Sequence, residues 1–157
     1  MKNQKILLDI EEEEEEITLG LVRLSKDVAD YELFFQINTL NTFKFSRIAD
    51  YVHQGKYYEY HFPRFQAFHT DSRICIHFIS NKSAQNILKK VSTELFSVEE
   101  QTLYLLDGFQ DVDYLIWTSE PFDDFSVILL PENMVFQIQN FPLSSNEELF
   151  HSIQYYA

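Results

Sequence analysis

The chain has 157 residues, 45% of them hydrophobic and 24% charged, with a net charge of −13. That is the size and composition of one ordinary globular domain, not of a disordered or multi-core chain. Three widely spaced glycines, one cysteine and no apolar run near the roughly 18 residues of a membrane span exclude Gly-rich phosphate loops, internal disulfides, multi-cysteine zinc clusters and a spanning helix.

The start, Met1–Asp9, has too short an apolar stretch for a secretory signal, so a reducing cytoplasm is the expected compartment. Residues 1–16 include the run Glu11–Glu16, whose adjacent like charges repel and extend; they are expected to form an acidic flexible segment before a single domain over 17–157. Ile17–Leu24 is apolar and β-branched at strand length. Ser25 offers an N-cap for a helix over Lys26–Leu40, with Asp27 and Asp30 in its opening turn. The polar stripe of that helix (Glu32, Gln36, Thr39) is narrow, so it needs cover on more than one side.

Strand alternation follows at Phe43–Arg47 and at Tyr58–Phe62, with Pro63 ending or bulging the second run. Arg73–Ile79 is the next strand, reached through the turn chemistry of His69–Ser72. Ser83 caps a short helix carrying Ile87, Leu88 and Val91 on one face. Ser97–Glu100 has capping-box spacing, while Thr102–Leu106 fits a strand equally well. Val112–Trp117 is a buried strand, Phe122–Leu130 a short helix, and Met134–Ile138 the last strand. A second capping box, Ser145–Glu148, precedes Leu149, Phe150 and Ile153. This order predicts an α+β fold with one largely antiparallel sheet and helices mainly on one face, ferredoxin-like with an insertion.

The charge is unevenly spread. Residues 17–90 hold ten Lys or Arg against six acids, whereas 91–157 hold twelve acids and no Lys or Arg. Such a surface repels phosphate backbones and favours a basic protein partner or simple solubility. The expected contact residues are Asp111, Asp113, Glu120, Asp123 and Asp124.

One stretch is both basic and aromatic. Residues 43–73 combine Lys44, Arg47 and Arg64 with Tyr58 and Tyr60, among others, so single-stranded RNA binding by base stacking is the alternative. A third reading, a metal-dependent enzyme, rests on Asp111-x-Asp113 and on histidines recurring every eight residues at His53, His61, His69 and His77. Eight residues span about 26 Å along a strand, so ordinary strand or turn histidines are expected, with no metal site and no cofactor. Cys75 alternates with Ile74 and Ile76 as a buried thiol.

Asp30-Tyr31-Glu32-Leu33, Asn38, Phe43–Arg47 and Asp50-Tyr51, then Phe78–Ser83, then Leu106–Tyr114 resemble, in their spacing, the small bacterial family named IPExxxVDY. Val112, Asp113 and Tyr114 match the second half of that motif, while Leu106, Asp107 and Gly108 stand where it has Ile-Pro-Glu. The ending Ser144–Phe150 is similar to the family's polar C-terminal segment. The resemblance implies no activity, cofactor or catalytic residue. The function expected is therefore a non-catalytic cytoplasmic protein-interaction domain working through its acidic C-terminal half, as a monomer or weak homodimer away from membranes.

Overall fold

The structure, a computed structural model, describes residues 16–88, 102–120, 125–144 and 147–156. In chain order these are β1 (Glu16–Val22), α1 (Asp30–Leu40), β2 (Ser46–Gln54), β3 (Tyr58–His69), β4 (Ile74–Ser80), β5 (Ala84–Leu88), β6 (Tyr114–Thr118), a 3-10 turn (Phe125–Val127), β7 (Gln139–Ser144) and α2 (Glu148–Tyr156). The seven strands form one sheet in the order β2-β3-β4-β6-β1-β7, with β5 also paired to β3. Every strand pairing is antiparallel. The α+β class and the single antiparallel sheet are those read from the sequence. The order is not ferredoxin-like, however, because β3, β4 and β6 stand between β1 and β2 where that fold places one strand.

Alternation along the strands divides the core into two clusters, one on each side of the sheet. On one side Val22, Phe65, Ala67, Ile76, Phe78 and Ile116 pack against Leu33, Phe34 and Ile37 of α1, and against Phe125, Ile128, Met134 and Val135. Phe34 is the centre of that layer. Its ring stacks on Phe65 at 3.8 Å and meets Phe78, Tyr114 and Phe45 edge-on. On the other side Leu19, Leu21, Tyr60, Phe62, Ile79, Leu115 and Trp117 pack against Phe150 and Ile153 of α2. The two helices thus serve opposite faces, which corrects the expectation of helices mainly on one face. The reason is legible in β6: Tyr114, Leu115, Ile116 and Trp117 are all buried, and a strand apolar on both sides needs cover on both.

Several boundaries depart from the sequence reading. The helix begins at Asp30, not Lys26, because tertiary contacts hold Ser25 outside it. The Ser25 backbone N–H donates to Met134 O and its hydroxyl to Asn133 O, and Ala29 supplies the first helical carbonyl. At the other end Asn41 caps through its backbone N–H and its carboxamide, both donating to Ile37 O. The predicted Phe43–Arg47 strand starts only at Ser46, since Phe43 and Phe45 turn into the core.

Pro63 does not end β3, which runs through it. It lies opposite the register break of β2 between Ile48 and Tyr51, and beside the gap between β4 and β5, where the absent N–H breaks no ladder bond. The helix expected after Ser83 is instead β5, paired to β3, while Ser83 exchanges hydrogen bonds with Leu103. Val91 and the Ser97–Glu100 box lie outside the described residues, and 102–106 holds only an isolated bridge from Tyr104 to Lys82. The Phe122–Leu130 helix is reduced, over its described part, to the 3-10 turn. Met134–Ile138 is not a strand: Pro131 O takes the Met134 and Val135 N–H groups in a turn, and Val135 makes a single bridge to Leu24. The last strand is β7, whose Pro142 is tolerated because β7 is a sheet edge. α2 carries Leu149, Phe150 and Ile153 as expected, with Ser145 and Asn146 outside the described residues.

Candidate interaction surface

Two of the stretches that carry the motif resemblance, 78–83 and 106–114, meet in one knot of hydrogen bonds. Asn81, fully buried at the end of β4, donates its carboxamide N–H groups to Phe109 O and Val112 O and accepts the Leu106 N–H. Its backbone also pairs with Asp113 O and Leu105 N. One side chain therefore satisfies the inward-facing backbone groups of a loop that has no ladder of its own.

Asp113 performs a similar task on β1, accepting the Leu24 N–H at 2.7 Å. Its pKa is raised, chiefly by burial and further by Asp111 and Asp27, despite that bond. Asp111 is paired with Arg23 at 2.7 Å, which holds its carboxyl below the usual range. Arg23 in turn reaches Gln139 on β7. Glu120 is exposed; Asp123 and Asp124 lie outside the described residues. Of the acidic residues singled out in the sequence, Asp111 and Asp113 are therefore brought together, but as structural clasps of β1.

The RNA-binding candidates separate. Tyr60 is 1% exposed and Arg64 6%, and neither side chain is presented for base stacking or phosphate contact. Tyr58 is half-buried beside Tyr60, ring centroids 6.0 Å apart. Lys44 donates to Asn38 O and Asn41 O at the C-terminus of α1, where a cation meets the negative end of the helix dipole. Arg47 pairs with Asp50 and Asp30 and lies over the Phe65 ring. The charges of Lys44 and Arg47 are thus engaged within the fold.

The four spaced histidines stand in four different settings. His53 lies beside Tyr60, His61 contacts Glu59 and Asp50, and His69 bonds Ser72. His77 stacks on Trp117 at 5.0 Å with the planes 8° apart. Among the described residues no group of three His, Cys, Asp or Glu is placed to hold a metal ion. Both His77 ring nitrogens and Trp117 Nε1 are buried without a hydrogen-bond partner among the described residues. Burial, with the charge of Arg64 adding to it, lowers the His77 pKa from 6.5 to about 4. Cys75 is half-buried, not fully buried, with its backbone bound to Ser119 Oγ.

What sequence reasoning missed is a groove of mixed polar and apolar lining in the acidic half. Its volume is about 700 Å³, and it runs along 125–140 between the 3-10 turn and β7. Leu129 and Phe136 stand out beside it, 52% and 59% exposed. Local bonding explains why. The Asn41 carboxamide exchanges two hydrogen bonds with the Leu129 backbone, and Phe136 N donates to Arg23 O while neighbouring Val135 points inward. Glu132 lies on the rim, and none of the described lining residues is basic.

The same layer exposes Tyr31 and Phe35, one turn apart on α1, at 78% and 67%. The narrow polar stripe of that helix was the available signal. Cover for its flank does come from 125–130, through Phe125 and Ile128, and α2 covers the other face instead. Among the described residues no helix is long and apolar enough to cross a membrane. Comparison with family models, curated proteins and solved structures gives no match.

Proposed function

We propose that this protein is a non-catalytic protein-interaction domain, cytoplasmic, that docks a basic amphipathic segment of another protein through its acidic C-terminal half. The observation that carries the reading is the groove along 125–140, in which exposed Leu129 and Phe136 adjoin Glu132 in a half of the chain without Lys or Arg. Large apolar side chains left in water beside a polar rim are the usual mark of a binding surface. A net charge of −13 selects for a cationic partner and speeds its approach. We further propose that the chain is a divergent relative of the IPExxxVDY family, the support being that Asn81 and Asp113, both within the resembling stretches, converge on one loop.

A photo-reactive residue in place of Phe136 tests the docking reading in the cell of origin. A cross-linked partner carrying a basic apolar segment, lost in Leu129→Glu and weakened by salt, is the expected result. Cross-linking that ignores both the substitution and the salt would refute it.

A further inference from the structure

Under the start of α2, on the face opposite α1, lies a cavity of about 180 Å³. Tyr51 and His53 of β2 and Phe62 of β3 form its floor, Tyr104 one wall, and Glu148 and Ser152 of α2 its roof. The strand pairings fix this floor, because Tyr51 lies opposite Phe62 and His53 opposite Tyr60. The Tyr51 and Phe62 rings are 5.7 Å apart and tilted by 34°. The Tyr51 hydroxyl is bound to Ser152 Oγ at 3.2 Å, which anchors α2 over the sheet at that point.

Three features of this cavity favour positive charge. Aromatic rings attract cations through their quadrupole, and here Tyr51 and Tyr104 line one space, with the buried Phe62 beneath them. Glu148 places a carboxylate at the opening, and no Lys or Arg is among the described lining residues. The chain as a whole carries a net charge of −13, which draws cations toward it. The rest of the lining is leucine, which suits alkyl or methyl groups and not a hydrated metal ion.

We propose that this cavity binds a small organic cation, an alkylammonium or quaternary ammonium compound. Its volume corresponds to about six waters at liquid density, which admits a free small molecule. The inference does not rest on the docking groove, which lies on the other face.

The test is an NMR titration of the full-length protein with choline, and in parallel with choline's neutral isostere, in which a quaternary carbon replaces the nitrogen. Saturable shifts are expected at Tyr104 and His53 with choline, with affinity about tenfold weaker for the isostere. Glu148→Gln, an exposed position in the first turn of α2, should lower the melting temperature by no more than a few degrees and weaken choline about tenfold. Equal binding of the two probes, shifts that do not saturate or lie elsewhere, or a Glu148→Gln protein that binds choline as well as the parent would each overturn the proposal. The comparison of probes needs no variant, so it stands even if a substitution disturbs α2.

Discussion

Asp113 holds Leu24: the carboxylate at the head of β6 accepts the backbone N–H just past the end of β1, at 2.7 Å. Removing that acceptor in Asp113→Ala strands a partly buried donor, and a loss of about 1–3 kcal/mol is expected in urea denaturation at neutral pH. Asp113→Asn keeps an oxygen acceptor and sheds the cost of burying charge, so its stability should stay within about 1 kcal/mol of the parent. The pKa of Asp113 is raised in the fold, so the stability linked to its protonation is fully present below the ordinary carboxylate value. It is lost as pH rises through the raised value, and Asp113→Asn should not show that dependence.

Asn81 makes three side-chain hydrogen bonds, to Leu106, Phe109 and Val112. Asn81→Ala leaves the buried Leu106 N–H and Val112 O without their side-chain partner, while Phe109 O keeps the Val112 N–H, and should cost about 3 kcal/mol. Asn81→Asp should be nearly as damaging, since a carboxylate cannot donate to the two carbonyls. Hydrogen exchange at the Leu106 amide is the local readout: fast exchange is expected in Asn81→Ala, which removes its acceptor, and slower exchange in Asn81→Asp, which keeps one; retained protection in Asn81→Ala would show that the loop has another support.

His77 makes stability fall on the acid side. In the fold its imidazole stays neutral down to about 4, while in the unfolded chain it takes up a proton near 6.5. The unfolded state therefore binds more protons between those values, and the stability is present above 6.5 and lost as pH drops toward 4. The expected loss is about 3 kcal/mol. His77→Phe preserves the stack on Trp117 and should flatten this slope in denaturant midpoints measured across the range. An unchanged slope would assign the acid sensitivity elsewhere.

Two backbone positions should respond with opposite sign. A Cβ on Gly20 would lie 3.0 Å from Ile138 Cγ2 and 3.3 Å from both Ile116 and Phe125. Gly20→Ala is therefore expected to destabilise by about 1–3 kcal/mol through overpacking in the core. Arg73, in the turn between β3 and β4, has φ 57, where a side chain is strained. Arg73→Gly should relieve that strain and raise stability by up to about 1 kcal/mol, after glycine's own entropy cost. Paired melting curves decide both.

The sequence by itself determined the elements whose periodicity is strong: β1, most of α1, β4, β6 and the apolar positions of α2. In each of them local pattern and burial agree, as in Tyr114–Trp117, whose unbroken apolar run is buried on both faces. It also determined the charge asymmetry between residues 17–90 and 91–157. Only the tertiary structure decided that Ser83 leads into a strand, that Ser25 stays out of α1, and that β7 forms at Gln139–Ser144 while Met134–Ile138 makes a turn. In each case a partner distant in the chain takes the hydrogen bond: Leu103 for Ser83, Met134 for Ser25, β1 for β7. The candidate surfaces divide the same way. Tyr60 and Arg64 have the composition of an RNA site, but strand alternation turns both into the core, and nothing local to residues 58–64 specifies which face α2 will cover. Conversely, Leu129 and Phe136 look like core residues in sequence. They stand in water because Asn41 and Arg23, each about a hundred residues earlier, fix the backbone that carries them.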